Sequence, residues 1–252
     1  MSLKVYADRM SQPSRAVILF CKLNGIDFEE IKIDLSKRQQ LTREFRDINP
    51  LKKVPAIQDG RFKLSESHAI LIYLASLYPG VADHWYPADV SKSAKIHSVL
   101  DWHHSNLRHG AVTYVLNSAL APALGLPLNP EAAAEGEKLL SASLAEIESV
   151  WLKGKGRFLL GSLQPSIADL SLVCEIMQLE VVDDKDRERI LAPHQRVLKW
   201  IDDTKAATRP HFDEVHSVLF KVKEKLKKLR SQGGGAGEAA ESITKACVRS
   251  KM

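Results

Sequence analysis

The sequence predicts two domains: an α/β domain on a mixed four-stranded sheet, then an all-α domain. Three observations predict this. The first 77 or so residues read as βαβ, a short helix, then ββα. A turn-rich stretch over 78–87, with Pro79, Gly80 and Pro87, then interrupts the pattern. Everything after it carries helical spacing. The 252 residues, 44% of them hydrophobic, suit two small cores better than one.

Residues 3–7 read as a short strand, and Pro13 opens a helix whose apolar positions Val17, Ile18, Phe20 and Cys21 run to a stop at Gly25. Ser11 lies at the strand-to-helix turn. A second strand is expected over 28–34, with Phe28, Ile31 and Ile33 as core candidates. Asp59-Gly60, between 56–58 and 62–64, signals a hairpin with a two-residue type I′ turn. Pro55 cannot donate a ladder hydrogen bond, so it belongs at a strand start, where the preceding backbone is free to pair with a ligand. Ser65, Glu66 and Ser67 precede the apolar run 69–74 and so occupy a helix N-terminus, whose unpaired N–H groups favour a carboxylate. Read together, these residues build a peptide-binding cleft.

In the second domain, helical spacing links Ile96, Leu100 and Leu107, then Leu139, Leu140, Leu144 and Ile147, then Leu170, Val173, Cys174 and Met177. Ser166 and Asp169 form a capping box. No charged residue occurs over 110–130, but Asn117, Pro122 and Pro127 argue against a membrane span.

Ser11-Gln12-Pro13-Ser14-Arg15-Ala16, Asn49-Pro50-Leu51-Lys52-Lys53-Val54-Pro55, Ser65-Glu66-Ser67 and Asp83-His84-Trp85-Tyr86-Pro87 together resemble the glutathione S-transferase family, theta class above all. The resemblance covers about 230 residues and implies a thioredoxin-like glutathione-binding domain over 1–82. It also implies an all-helical domain over 83–230 with a hydrophobic co-substrate site, and a tail over 231–252. Glutathione would be co-substrate, with no cofactor and no metal. In such an enzyme the thiolate is the nucleophile. Bringing a thiol from a pKa of about 8.5 to about 6.5 requires about 2.7 kcal/mol of preferential thiolate stabilisation. A hydroxyl hydrogen bond to a charged acceptor contributes about 1.5–3 kcal/mol, and a helix N-terminus about 0.3–1 kcal/mol. Ser11 is thereby expected to donate to the thiolate rather than to attack.

By the same resemblance Gln12 faces glutathione, and Gln40 and Leu41 stand where many theta members carry a histidine-lysine pair. Lys53 is the alternative source of positive charge. Val54 is expected to pair its backbone with the cysteinyl unit, Pro55 to be cis, and Glu66 and Ser67 to hold the γ-glutamyl end. Arg108 matches an arginine near the reacting sulfur, and Tyr114, Leu116 and Leu120 are candidates for the co-substrate wall. Conjugation of hydrophobic electrophiles and glutathione-dependent reduction of organic hydroperoxides are the implied activities, in a homodimer. The alternative is a non-catalytic ligand carrier or assembly module.

The net charge of +5 is local. Six basic residues and one acid over 221–230 account for all of it, and Val215, Leu219, Val222, Leu226 and Leu229 form one apolar face there. A docked helix with a solvated lysine face is expected, not a nucleic-acid stripe. Cys21, Cys174 and Cys247 lack paired spacing, and the absence of C-x-x-C at the first turn disfavours a dithiol oxidoreductase. His97, Asp101 and His104 have ligand-like helical spacing without a further partner. No apolar leader precedes the first strand, so an intracellular protein is expected. A glycine-rich spacer leads to Ser250-Lys251-Met252, one residue from the peroxisomal Ser-Lys-Leu address. Binding by a peroxisomal import receptor is expected, with cytoplasm or nucleus as the alternative.

Overall fold

The computed structural model describes residues 2–231. In the first domain, strand β1 (Leu3–Ala7) leads to helix α1 (Gln12–Leu23) and strand β2 (Phe28–Lys32). A short helix α2 (Arg43–Arg46) precedes the hairpin of β3 (Ala56–Asp59) and β4 (Phe62–Ser65), and α3 (Ser67–Leu77) closes the unit. The strands lie in the order β2-β1-β3-β4, parallel between β1 and β2 and antiparallel elsewhere.

Two local expectations are corrected. β2 stops at Lys32, although Ile33 N still donates to Ala7 O at 2.8 Å. Asp34 turns away because its carboxylate accepts from Lys37 N and from the Ser36 hydroxyl, capping a 3₁₀ turn (Leu35–Lys37). The hairpin loop is Gly60-Arg61 rather than Asp59-Gly60, since Asp59 pairs with Phe62 across the ladder. Only Gly60 has positive φ, +60°, which is the type II′ pattern of glycine in the first central position.

The second domain comprises α4 (Val90–Ser105), α5 (Leu107–Val115), α6 (Pro130–Glu146), α7 (Ile167–Ile176), α8 (Asp184–Leu191), α9 (Gln195–Thr208) and α10 (His211–Ser231). α5 and α6 cross backbone to backbone. A Cβ on Gly110 would lie 2.5 Å from Leu140 N, and one on Gly136 would lie 2.5 Å from Tyr114 N. The capping box at α7 is present, and buried Asp169 also accepts from Leu159 N at 2.9 Å and Trp200 Nε1 at 2.8 Å. One carboxylate thus joins the preceding loop, α7 and α9.

The two domains share one apolar core, in which α1 packs against α3, α7 and α10. Phe20 of α1 meets Trp85 of the connecting segment edge-on at 5.8 Å. At the surface of this seam Arg9 grips Glu30 at 2.7 Å, and Glu214 of α10 receives Lys22 at 2.9 Å. The basic end of α10 docks its apolar face and leaves Lys221, Lys225, Lys227, Lys228 and Arg230 exposed, with Lys223 drawn in. Lys223 reaches Glu180 at 2.6 Å and Asp184 at 3.3 Å, Lys227 reaches Asp184 at 3.2 Å, and Arg230 donates to Val181 O at 3.0 Å. These contacts fasten the helix to α8 and the segment before it. Among the described residues no helix is long and apolar enough to cross a membrane. The glycine-rich spacer, Cys247 and Ser250-Lys251-Met252 lie outside the described residues.

Candidate functional site

Sheet register brings the candidate residues to one end of the sheet. Tyr6 is opposite Ala56, and Ala56 is opposite Ser65, so three chain segments leave the sheet side by side within about two strand spacings, roughly 10 Å. The end of β1 leads to Ser11, the start of β3 is entered through Val54-Pro55, and the end of β4 leads to Glu66 and Ser67. β2, parallel to β1, ends there too and leads on to Gln40 and Leu41.

Ser11 occupies the N-cap position of α1 with extended backbone, yet its side chain makes no capping hydrogen bond. It is 8% exposed, its N–H donates to Asp8 O at 2.8 Å, and its hydroxyl has no protein partner among the described hydrogen bonds. Gln12 follows, half-buried. The Val54-Pro55 bond is cis, and no turn or loop bond uses the Val54 backbone, which lies just outside the ladder. An extended peptide could complete that edge. Lys53 is exposed, with its carbonyl held by Asn49 Nδ2 at 2.7 Å. Gln40 Oε1 is buried without a partner, an acceptor in want of a donor, while Leu41 is 48% exposed.

Glu66 is the N-cap of α3 with φ +68° and ψ 112°, a conformation that costs a non-glycine residue about 1–3 kcal/mol. α3 begins directly after this residue, with Ser67 buried at its first position. Behind α3 lies a chain of polar groups. His68 and His103 are in contact, Nε2 to Nδ1 at 3.2 Å, and His103 Nε2 is 3.5 Å from Glu175 Oε2, which Arg108 Nη1 contacts at 2.7 Å. A carboxylate facing His103 Nε2 favours the tautomer with the proton on that atom, which leaves Nδ1 to accept from His68. Burial alone would push the Glu175 carboxyl up. His103 and the Arg108 charge reverse this and hold it below the ordinary carboxylate range. Arg108 keeps 31% of its side chain exposed, so its inner edge is paired while the rest faces the solvent side.

The proposed wall residues divide. Tyr114, two turns along α5 from Arg108, is 4% exposed and packed in the helical core. Burial, with Asp186 and Glu137 nearby, pushes its phenol up to about 12. Leu116 and Leu120 lie half-buried in a π-helical segment (Leu116–Leu120). His97 bonds Tyr86 Oη at 3.0 Å and the His104 ring lies tilted against His68 with centroids 4.5 Å apart, so the helical set His97, Asp101 and His104 is not assembled.

Comparison with known proteins agrees with this geometry. The description "Glutathione S-transferase, N-terminal domain" matches residues 1–76, and "Glutathione S-transferase, C-terminal domain" matches residues 130–203. Glutathione S-transferase T1 of Arabidopsis thaliana is 71% identical over 233 residues, covering 92% of this chain and 95% of that protein. The chain belongs to the glutathione S-transferase family. Glutathione S-transferase T3 of Arabidopsis thaliana is 66% identical over 242 residues, but this chain spans only 41% of it. Among solved structures, human glutathione transferase theta-2 in complex with glutathione and an unknown ligand aligns with a TM-score of 0.81 at 31% identity, covering 96% of this chain and 97% of that one. These relatives place the transferase in the theta class.

Sequence reasoning overlooked Arg15, His68, His103, Glu175 and Gln178, all buried. The available signal was a charged residue inside an apolar run, Arg15 before Ala16-Val17-Ile18 and Glu175 between Cys174 and Ile176.

Burial lowers two histidines far: His68 to about 2, with His103, His104 and Arg108 adding to the effect, and His216 of α10 to about 3. Both are neutral when folded and take up a proton when unfolded below about pH 6.5. The unfolded chain then binds more protons, so their stability contribution is complete above that pH and is lost as pH falls toward 3. His216→Phe fits between Phe212 and Phe220, whose rings lie 4.1 and 6.3 Å from the imidazole. It is expected to reduce the acid slope of unfolding free energy by up to about 1.4 kcal/mol per pH unit. Urea midpoints between pH 7 and 5 check this, and an unchanged slope would contradict it.

Proposed function

We propose that this theta-class transferase uses Ser11 to hold the glutathione thiolate for attack on hydrophobic electrophiles and on organic hydroperoxides. The observation that carries the reading is the Ser11 hydroxyl at the N-terminus of α1, unused for capping and at the sheet end shared with Val54 and Glu66. A donor fixed there stabilises a thiolate by roughly 1.5–3 kcal/mol, with the helix end adding to it. Val54 pairs with the cysteinyl backbone, Glu66 and Ser67 with the N–H groups of α3 hold the γ-glutamyl end, and Gln12, Gln40, Leu41 and Lys53 complete the glutathione surface. Arg108 stabilises negative charge on the departing group, and Tyr114, Leu116 and Leu120 contribute the co-substrate wall. With a carbon electrophile, the sulfur forms the new bond as the leaving group departs with its electron pair. With a hydroperoxide, the thiolate takes the outer oxygen to give a sulfenic acid and an alkoxide, which is protonated. A second glutathione then yields disulfide and water.

Ser11→Ala is expected to lower kcat/KM for cumene hydroperoxide and benzyl halides about 10- to 150-fold at pH 7, the loss of one charged hydrogen bond. Glutathione binding without turnover in the unaltered protein would replace catalysis by the carrier or assembly reading. The protein is proposed to be a homodimer, as the resemblance implies, and light scattering should give twice the 28.1 kDa chain mass. A mass of one chain would end that reading. We assign Ser250-Lys251-Met252 to peroxisomal import. Deleting the three residues should move a fusion that leaves this terminus free from peroxisomes to cytoplasm, whereas identical distributions would remove the assignment.

A further inference from the structure

Arg15 stands alone as a charge inside the buried part of α1, fully inaccessible between Ser14 and Ala16. Removing a guanidinium from water costs several kcal/mol, and an apolar side chain of similar volume is often as stable or more so. Its acceptors show what the arginine does in return. Nη1 donates to Arg9 O at 3.0 Å and Met10 O at 3.1 Å, the two carbonyls directly before Ser11. Nη2 donates across the domain seam to Cys174 O at 2.9 Å and Gln178 Oε1 at 2.8 Å. The same loop is held from its other side by Asp8, whose carboxylate accepts from Met10 N and Leu35 N and whose carbonyl accepts from Ser11 N.

The carbonyl of Cys174 lies in the last turn of α7, the negative end of the helix, which suits a guanidinium. The next residue, Glu175, is the carboxylate that pairs with Arg108. Three positions of the helical domain, 174, 175 and 178, therefore fix both the loop carrying Ser11 and the arginine of the co-substrate side.

We propose that Arg15 is a positioning residue for Ser11, and that Gln178 of the helical domain, by orienting Arg15, sets where the serine hydroxyl meets the glutathione sulfur. This rests on the reading that Ser11 stabilises the thiolate. The hydroxyl donor is worth most when aligned, and a displacement of a fraction of an ångström weakens it steeply.

The experiment uses the full chain with Gln178→Leu, which keeps volume and removes the acceptor, and Gln178→Glu, which keeps the acceptor. Both are compared with the unaltered protein and with Ser11→Ala. The pH profile of kcat and the ultraviolet absorbance of bound thiolate are measured together with KM for glutathione. Gln178→Leu is expected to raise the apparent pKa of the bound thiol by about 0.5–1 unit, so that turnover falls about 3- to 10-fold at pH 6 and converges with the unaltered protein at pH 9. KM should stay within about two-fold, and Gln178→Glu should restore the profile. An equal loss at every pH, a profile that does not move, or a change in KM alone overturns the proposal. So does a Gln178→Glu protein that behaves like Gln178→Leu. If Ser11→Ala leaves the thiolate pKa unaltered, the serine reading itself fails and the positioning role with it. A shift in Ser11→Ala with none in Gln178→Leu removes the positioning role alone.

Discussion

A guanidinium is tolerated in a protein interior only when its donors meet acceptors already fixed in place, and α7 supplies them for both arginines of the seam. Its last turn offers the Cys174 carbonyl to Arg15 and the Glu175 carboxylate to Arg108, with Gln178 just beyond. The start of the same helix is tied by Asp169 to Ser166, Leu159 and Trp200. α7 is thus held at one end by a buried acid and met at the other by two arginines, Arg15 fully buried and Arg108 partly exposed. The rest of the architecture arranges itself around that fixed rod, with α1, α4 and α5 packed beside it.

The sheet contributes a different constraint. Antiparallel pairing of β1, β3 and β4 obliges one strand end and two neighbouring strand termini to emerge together, whatever their side chains. The segments that leave the ladder there carry Ser11, Val54 and Glu66. Backbone strain at Glu66 belongs to this arrangement, because α3 must begin immediately after β4.

Much of this was legible in the residues themselves. Pro55 announced a strand start, Ser65-Glu66-Ser67 a helix start, and Ser166 with Asp169 a cap, because each works over a few residues of chain. Asp59-Gly60 also announced a hairpin, but one residue of register altered its turn type, since pairing with Phe62 drew Asp59 into the strand. What escaped was governed by distant sequence. Lys223 read as part of a solvated face, and it is Glu180 and Asp184 that draw it in while Lys227 stays exposed. Arg15 and Glu175 are separated by 160 positions, and no local pattern indicates that one helix end meets both the loop and the wall.

The bare crossing of Gly110 and Gly136 bears on how such a chain can diversify. Where two backbones touch there is no side chain to exchange, so the angle between α5 and α6 is not open to gradual adjustment by substitution. The half-buried segment Leu116–Leu120 continues α5 beyond this crossing. Substitutions in that segment meet no such backbone contact, so its side chains can change while the crossing beneath them stays as it is.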